Sequence, residues 1–320
     1  MKHISIIALI LAFAIVLVSC GAMPATSKTV ETAMTSSSTT TQSAAKTNST
    51  TGSASSDGVK KITAEEAYKR MKSGDPVVIV DVRTAEEYAE KHIPGAILVP
   101  LDTIGDEAPA DLPVKDAELL IYCRSGHRSA QASAKLAKLG YTNVNDFGGI
   151  KDWPYETESG EWKGDSKDGT LTSFSTFDIN GRYYDESLFA SKKLTMVNAW
   201  TTWCGYCLME MPYLGELSKD YSDNKNFQIV GVAADTTNDG LSFSMDTINQ
   251  SRSLATQAGA TYKQILPTRS LIKAQLSKAI TVPYTFFVDS KGKVVAEEFG
   301  AKSKEDWQSL INSLLKKVSV

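Results

Sequence analysis

The spacing of apolar residues changes character twice along the chain. Residues 4–18, "ISIIALILAFAIVLV", form an apolar run, and a polar stretch containing "TAMTSSSTTTQSAAKTNSTTGSASS" follows it. From Lys60 onward, short apolar runs and helical spacings alternate. "ITAEEAYKRMKSG" has the apolar spacing of a helix that stops at a glycine, and "PVVIVDVR" is a β-rich buried run. "TAEEYAEKHIPGAILVPL" predicts a helix, a Pro-Gly turn and a short strand; "AELLIYC" predicts a buried strand, and "SAQASAKLAKLGY" a helix stopped by Gly140. The rhythm repeats further on. "LTMVNAW" and "FQIVGVAAD" read as core strands, "TTWCGYCLMEMPYLGEL" as the helix between them, and "AITVPYTFFVDSKGKVVAEEFG" as two strands turning at Lys291-Gly292. A helical insertion is expected between about Asp239 and Lys278, and "SKEDWQSLINSLLKK" closes the chain as an amphipathic helix capped by Ser303. Strands alternating with helices imply α/β architecture with covered sheets.

At 320 residues the chain has room for two such domains. The boundaries fall at 1–20 for a targeting segment, 21–58 for a polar tether, 59–158 and 170–320 for the domains, and 159–169 for a polar, glycine-containing hinge about which relative motion is expected. The tether has almost nothing to bury and is expected to be disordered. A net charge of −3 offers no basic footprint, so nucleic acid is not an expected partner. Lys2 and the apolar run lead into "LVSCG", which resembles the lipobox of bacterial lipoproteins. The resemblance implies that Cys20 is lipidated and anchors the chain to the outer side of the cell membrane; an ordinary cleaved secretion signal and an uncleaved anchor remain alternatives. All three place the domains outside the cytoplasm.

Of four cysteines, Cys123 stands alone, at the end of a predicted central strand where open α/β sheets bind ligands. Amides at the start of the next helix, with Arg124 and Arg128, favour an anion there and lower the thiol's pKa. Gly126 permits the tight curl that lets the amides converge. A buried structural cysteine is the plainer alternative. "DVRTAEEYAEKHIPGA", "YCRSGHRS" and "FGGIKDWP" together resemble a single-domain rhodanese, a sulfurtransferase. The resemblance implies that Cys123 carries a persulfide in the loop Arg124–Arg128, with Asp81 and Arg83 in support and thiosulfate or another sulfane-sulfur compound as donor. Lys91 stands where the family usually has glycine, a departure expected to be harmless. Related folds with phosphatase activity use Cys-x5-Arg; here Arg128 follows Cys123 after four residues, and the smaller loop suits sulfur better than phosphate.

Cys204 and Cys207 form a Cys-x-x-Cys pair at a predicted helix start. Zinc, a structural bridge and a redox couple are the three readings. Structural zinc takes four ligands, and of the three histidines one lies in the leader and two in the first domain, so no metal or other cofactor is expected. A bridge closing so short a loop gains little entropy. A catalytic dithiol fits best, Cys204 attacking and Cys207 resolving. "NAWTTWCGYCLMEMP", which includes Trp203, together with "VPYTFF" and "DINGRYY", resembles the membrane-tethered TlpA-type oxidoreductases of the thioredoxin superfamily. That implies a cis bond before Pro283 facing the dithiol, a helix kink at Pro212, and Glu210 handling protons in place of the acid absent at Asn198. Tyr206 between the cysteines supplies no cation, so the couple is expected to be a reductant. Exported disulfide proteins are the expected clients, and a membrane-borne or exported dithiol the electron donor. A first domain that only docks partners, and a reductase dedicated to one client such as in cytochrome c maturation, are the competing readings.

Overall fold

The computed structural model describes residues 58–165 and 171–318. Cys20, the leader, nearly all of the tether and residues 166–170 of the hinge lie outside the described residues. Among the described residues no helix is long and apolar enough to cross a membrane.

The first domain runs β1 (Val59–Lys61), α1 (Ala64–Lys72), β2 (Val77–Asp81), α2 (Ala85–Glu90), β3 (Ile97–Leu98), β4 (Glu118–Cys123), α3 (His127–Lys138) and β5 (Val144–Gly149). Its strands pair in parallel in the order β1-β5-β4-β2-β3. The central strand β4 is buried from Leu119 to Cys123 because helices cover both faces, which is why its sequence is a continuous apolar run. Thr63 and Thr84 close reciprocal caps with Glu66 and Glu87 at the starts of α1 and α2, each worth about 1 kcal/mol.

The second domain opens with a hairpin, β6 (Ser175–Phe177) and β7 (Tyr183–Asp185), then α4 (Ser187–Ala190), β8 (Leu194–Trp200), α5 (Gly205–Asp220), β9 (Phe227–Ala233) and α6 (Met245–Gln257). It finishes with β10 (Lys263–Ile265), α7 (Arg269–Ala274), β11 (Tyr284–Asp289), β12 (Val294–Phe299) and α8 (Lys304–Val318). The sheet order is β10-β9-β8-β11-β12, parallel among β8, β9 and β10 and antiparallel across β11 and β12. The stretch expected to be a purely helical insertion thus also contributes an edge strand. Three residues, Lys263–Ile265, are too few to carry a periodic signal. Ser303 caps α8 as expected, its hydroxyl accepting the Asp306 N–H at 3.1 Å.

The domains meet at the N-terminal ends of the first sheet. Arg252 on α6 pairs with Asp116, two residues before β4, through Nη2–Oδ1 at 2.9 Å. Arg182 reaches the Gly74 carbonyl ahead of β2, and Lys115 donates its N–H to Met245 Sδ at 3.4 Å. Gly181, at φ +87°, sits so close that a Cβ there would overlap that of Ala117. The segment expected to be a hinge is held at several points in its described part. Gly160 donates its N–H to the Ala89 carbonyl at 2.9 Å, and the Trp162 ring lies 6.2 Å from Tyr88 and 5.6 Å from Tyr183. Asp165 accepts the Ser270 N–H and the Thr268 hydroxyl, each at 3.0 Å.

Candidate functional sites: an amide cradle and a dithiol turn

β4 ends at Cys123, and Gly126 (φ +95°) turns the chain into α3, a conformation that excludes most side chains. The Gly126 N–H then points back at Cys123 Sγ from 3.1 Å. Gly149, paired with Cys123 across β4 and β5, lies so near the loop that a Cβ there would come within 2.5 Å of the Arg124 carbonyl. The Ser129 hydroxyl lies 3.1 Å from the Gly126 carbonyl and 3.2 Å from that of Gly148, tying the loop to the end of β5. Cys123 is 1% exposed. Burial, the largest influence, pushes its thiol up. The amides of Ser129, Ser125 and Gly126 and the Ser129 hydroxyl outweigh it, so the thiol sits below its ordinary value.

The arginines contribute differently from expectation. Arg124 is exposed to water, where its charge is screened. Arg128 lies within electrostatic reach of Cys123, but its guanidinium is bound by both oxygens of Glu87, at 2.6 and 2.7 Å. That contact, with smaller help from the Thr84 amide and Arg83, draws the Glu87 carboxyl down to about 2 against its burial. The anion-favouring field at Cys123 is therefore made mainly by backbone amides. Asp81 and Arg83 form a buried pair, Nη2–Oδ2 2.6 Å, at the end of β2, beside this loop's strand. Arg83 also donates to the Lys91 carbonyl at 2.6 Å and lies 5.6 Å over the Tyr122 ring. Lys91 has extended backbone (φ −166°), so a side chain is tolerated where glycine was expected. Glu87 was missed because its place in a Thr-x-x-Glu cap already accounts for it; its second partner is 41 residues away.

In the second domain Cys204 caps α5 and is bonded to Cys207, whose N–H lies 3.2 Å from Cys204 Sγ. Both sulfurs are largely buried, while Trp203 and Tyr206 beside them are 73% and 72% exposed. Met209 and Tyr213 extend the exposed apolar face along α5. The Val282-Pro283 bond is cis, and Val282 packs on the cluster that includes both cysteines. Pro212 lies inside α5. Glu210, one turn beyond Cys207, is 2% exposed and accepts from Trp307 Nε1 at 2.6 Å, the Lys302 N–H at 2.8 Å and Asn198 Nδ2 at 3.2 Å. Burial raises its carboxyl, and those three donors only partly offset the rise. Sequence reasoning did not find Trp307, Thr285 (3.0 Å from Asn198) or Asp235, which accepts both the N–H and the hydroxyl of Thr202. All three come from distant segments, and although Thr285 lies within "VPYTFF" nothing in that motif marks its contact with Asn198. Among the described residues no group of three or more His, Cys, Asp and Glu side chains is placed to hold a metal ion.

Residues 63–155 match the family described as rhodanese-like domain, and residues 167–314 match the redoxin family. The chain is 38% identical over 73 residues to the thiosulfate sulfurtransferase PspE of Escherichia coli (strain K12), covering 23% of this chain and 70% of that protein. It is 41% identical over 96 residues to a sulfurtransferase of Allochromatium vinosum, covering 30% of this chain and 88% of the other. A thioredoxin-family thiol:disulfide interchange protein of Chlorobium tepidum TLS superposes with a TM-score of 0.39 at 23% identity, over 46% of this chain and 95% of its own.

Proposed function

We propose, for a chain that belongs to the rhodanese-like sulfurtransferases through its first domain and carries a redoxin domain of thioredoxin-like fold behind it, that it works outside the cytoplasm on a lipid anchor at Cys20. There it reduces the disulfides of exported proteins and carries sulfane sulfur on Cys123. The observation behind the sulfur reading is the Gly126 N–H 3.1 Å from a thiol lowered by its amides. The Cys123 thiolate attacks the outer sulfur of thiosulfate; the S–S bond breaks, sulfite leaves with its electron pair, and a persulfide remains in the cradle. In the second domain the Cys204 thiolate attacks a client disulfide and releases one client thiolate. Cys207 then attacks Cys204 Sγ, frees the second client thiol and closes the Cys204–Cys207 bond. Glu210, kept protonatable by burial, supplies and receives the Cys207 proton. A membrane-borne or exported dithiol restores the reduced pair.

Wild-type protein should transfer sulfur from thiosulfate to cyanide, and Cys123→Ser should fall to background; equal rates would overturn the sulfur reading. A Cys207→Ser protein should accumulate mixed disulfides with exported clients through Cys204, and their absence would overturn the reductase reading. A second reading, in which the first domain docks partners without turnover, is favoured by the 1% exposure of Cys123. The cyanide assay separates the two.

A further inference from the structure

β8 and β9 lie side by side to their ends, Trp200 opposite Ala233, so the turn leaving one runs beside the turn leaving the other. The first of these turns carries Cys204 and is closed by the Cys204 N–H on the Thr201 carbonyl at 3.1 Å. The second, Ala234–Thr236, carries Asp235. Asp235 Oδ2 accepts the Thr202 N–H at 2.9 Å and the Thr202 hydroxyl at 2.6 Å, two residues before the attacking cysteine. Its other oxygen, Oδ1, is buried and has no hydrogen-bond partner, and the same is true of the neighbouring Thr201 hydroxyl. A carboxylate oxygen stripped of water and left unpaired is costly, and its charge is only partly neutralised by two donors on the other oxygen. The disulfide is neutral and unaffected by that charge. A thiolate on Cys204 is not.

We propose that Asp235 is a positioning residue of the dithiol, pinning the turn that presents Cys204 and setting a negative charge against the Cys204 thiolate, so that the couple favours the disulfide and the dithiol becomes a stronger reductant. The inference rests on the oxidoreductase reading of this site. The other groups bearing on the pair are Glu210 on α5, backed by Lys302, Tyr206 between the cysteines, and Glu298 and Asp306 on the groove that Tyr206 and Glu210 also line. Thr281, Val282 and Pro283 of the cis-proline loop and Thr285 of β11 bring no charge. Glu210 is held towards its neutral form by burial, and Asp235 is the carboxylate hydrogen-bonded to the turn itself.

The test uses the full chain equilibrated with glutathione. One protein disulfide and two glutathione thiols give one protein dithiol and one glutathione disulfide, a two-electron exchange with no other reactant. Asp235→Asn keeps an oxygen to accept from Thr202 and removes the charge. It should shift that equilibrium towards the dithiol by about three- to tenfold. It should also lower the pH at which Cys204 becomes alkylated, followed on its own peptide by mass spectrometry so that Cys123 does not interfere. Asp235→Ala, which also loses the pin, should in addition slow insulin reduction. An Asn variant with wild-type equilibrium and alkylation midpoint overturns the proposal, even if the Ala variant is impaired. A wild-type protein that does not exchange with glutathione at all overturns the oxidoreductase reading and this proposal with it.

Discussion

Arg128 gives its guanidinium to Glu87, two oxygens at 2.6 and 2.7 Å, and leaves the Cys123 sulfur to the backbone. Glu87 belongs to the cap of α2, so a single side chain closes that helix and holds the rim of the loop after β4. The cradle is built before any sulfur arrives, because the amides are fixed by the turn at Gly126 and the rim by an ion pair. That is preorganisation of the kind that favours an anion without rearrangement.

Glu87→Gln should cost about 1–2 kcal/mol at pH 7, as expected for a half-buried bidentate pair. The Glu87 carboxyl lies at about 2 in the folded protein, below its unfolded value. Its contribution is therefore fully present above about pH 4.5 and lost as pH falls towards 2. Urea midpoints of wild type and variant should differ most at pH 7 and draw together as pH falls below about 4.5 towards 2; a gap that stays constant would refute the assignment.

The Cys123 thiol should react with iodoacetamide with a midpoint below that of a free cysteine, about 8.5. Ser129→Ala removes one of the donors that hold the thiol down, and should move the midpoint up. The rate of persulfide formation from thiosulfate at pH 7 should drop by about three- to tenfold with it. A variant with an unmoved midpoint would assign the effect to the amides alone.

Glu210 has the opposite sign. Its folded pKa is raised by burial, so the stability linked to it is greatest at low pH and is lost as pH rises above the unfolded value of about 4.5. Glu210→Gln should look most destabilising in acid and least so near neutrality, by thermal unfolding across pH. In turnover the same variant should slow insulin reduction by about tenfold or more and flatten its pH profile. Slowed turnover with the profile unchanged would demote Glu210 to packing.

Arg252 joins the two domains at Asp116. Arg252→Glu sets like charges face to face, and should separate unfolding into two transitions where the wild type shows one. Calorimetry reads this directly, and a single unshifted transition would mean the pair contributes nothing to the junction.

The strands β2, β3, β4, β8, β9, β11 and β12 and the start of α5 at the dithiol follow from periodicity, because buried strands and capped helices leave local marks; β1, β5 and the β6–β7 hairpin carried no such signal. Gly126 and Cys123 were legible for the same reason: one demands a backbone few residues adopt, the other ends an apolar run. The origin of the field at Cys123 was not legible. Two arginines in a motif look like the source of charge, and only the position of Glu87, far away in sequence, shows one of them neutralised. Asp235, Trp307 and Thr285 were hidden likewise, since each meets its partner through sheet pairing or helix packing across 33 to 97 residues that no local window spans. The edge strand β10 failed on length alone.

Strand β4 carries the domain junction just before its first residue and the Cys123 thiol at its last. Six residues of extended chain separate them, a distance of roughly 20 Å. The loop that ends β4 at Cys123 therefore lies a strand's length from the Asp116–Arg252 contact, so a molecule seated over Cys123 need not disturb the contact that joins the domains.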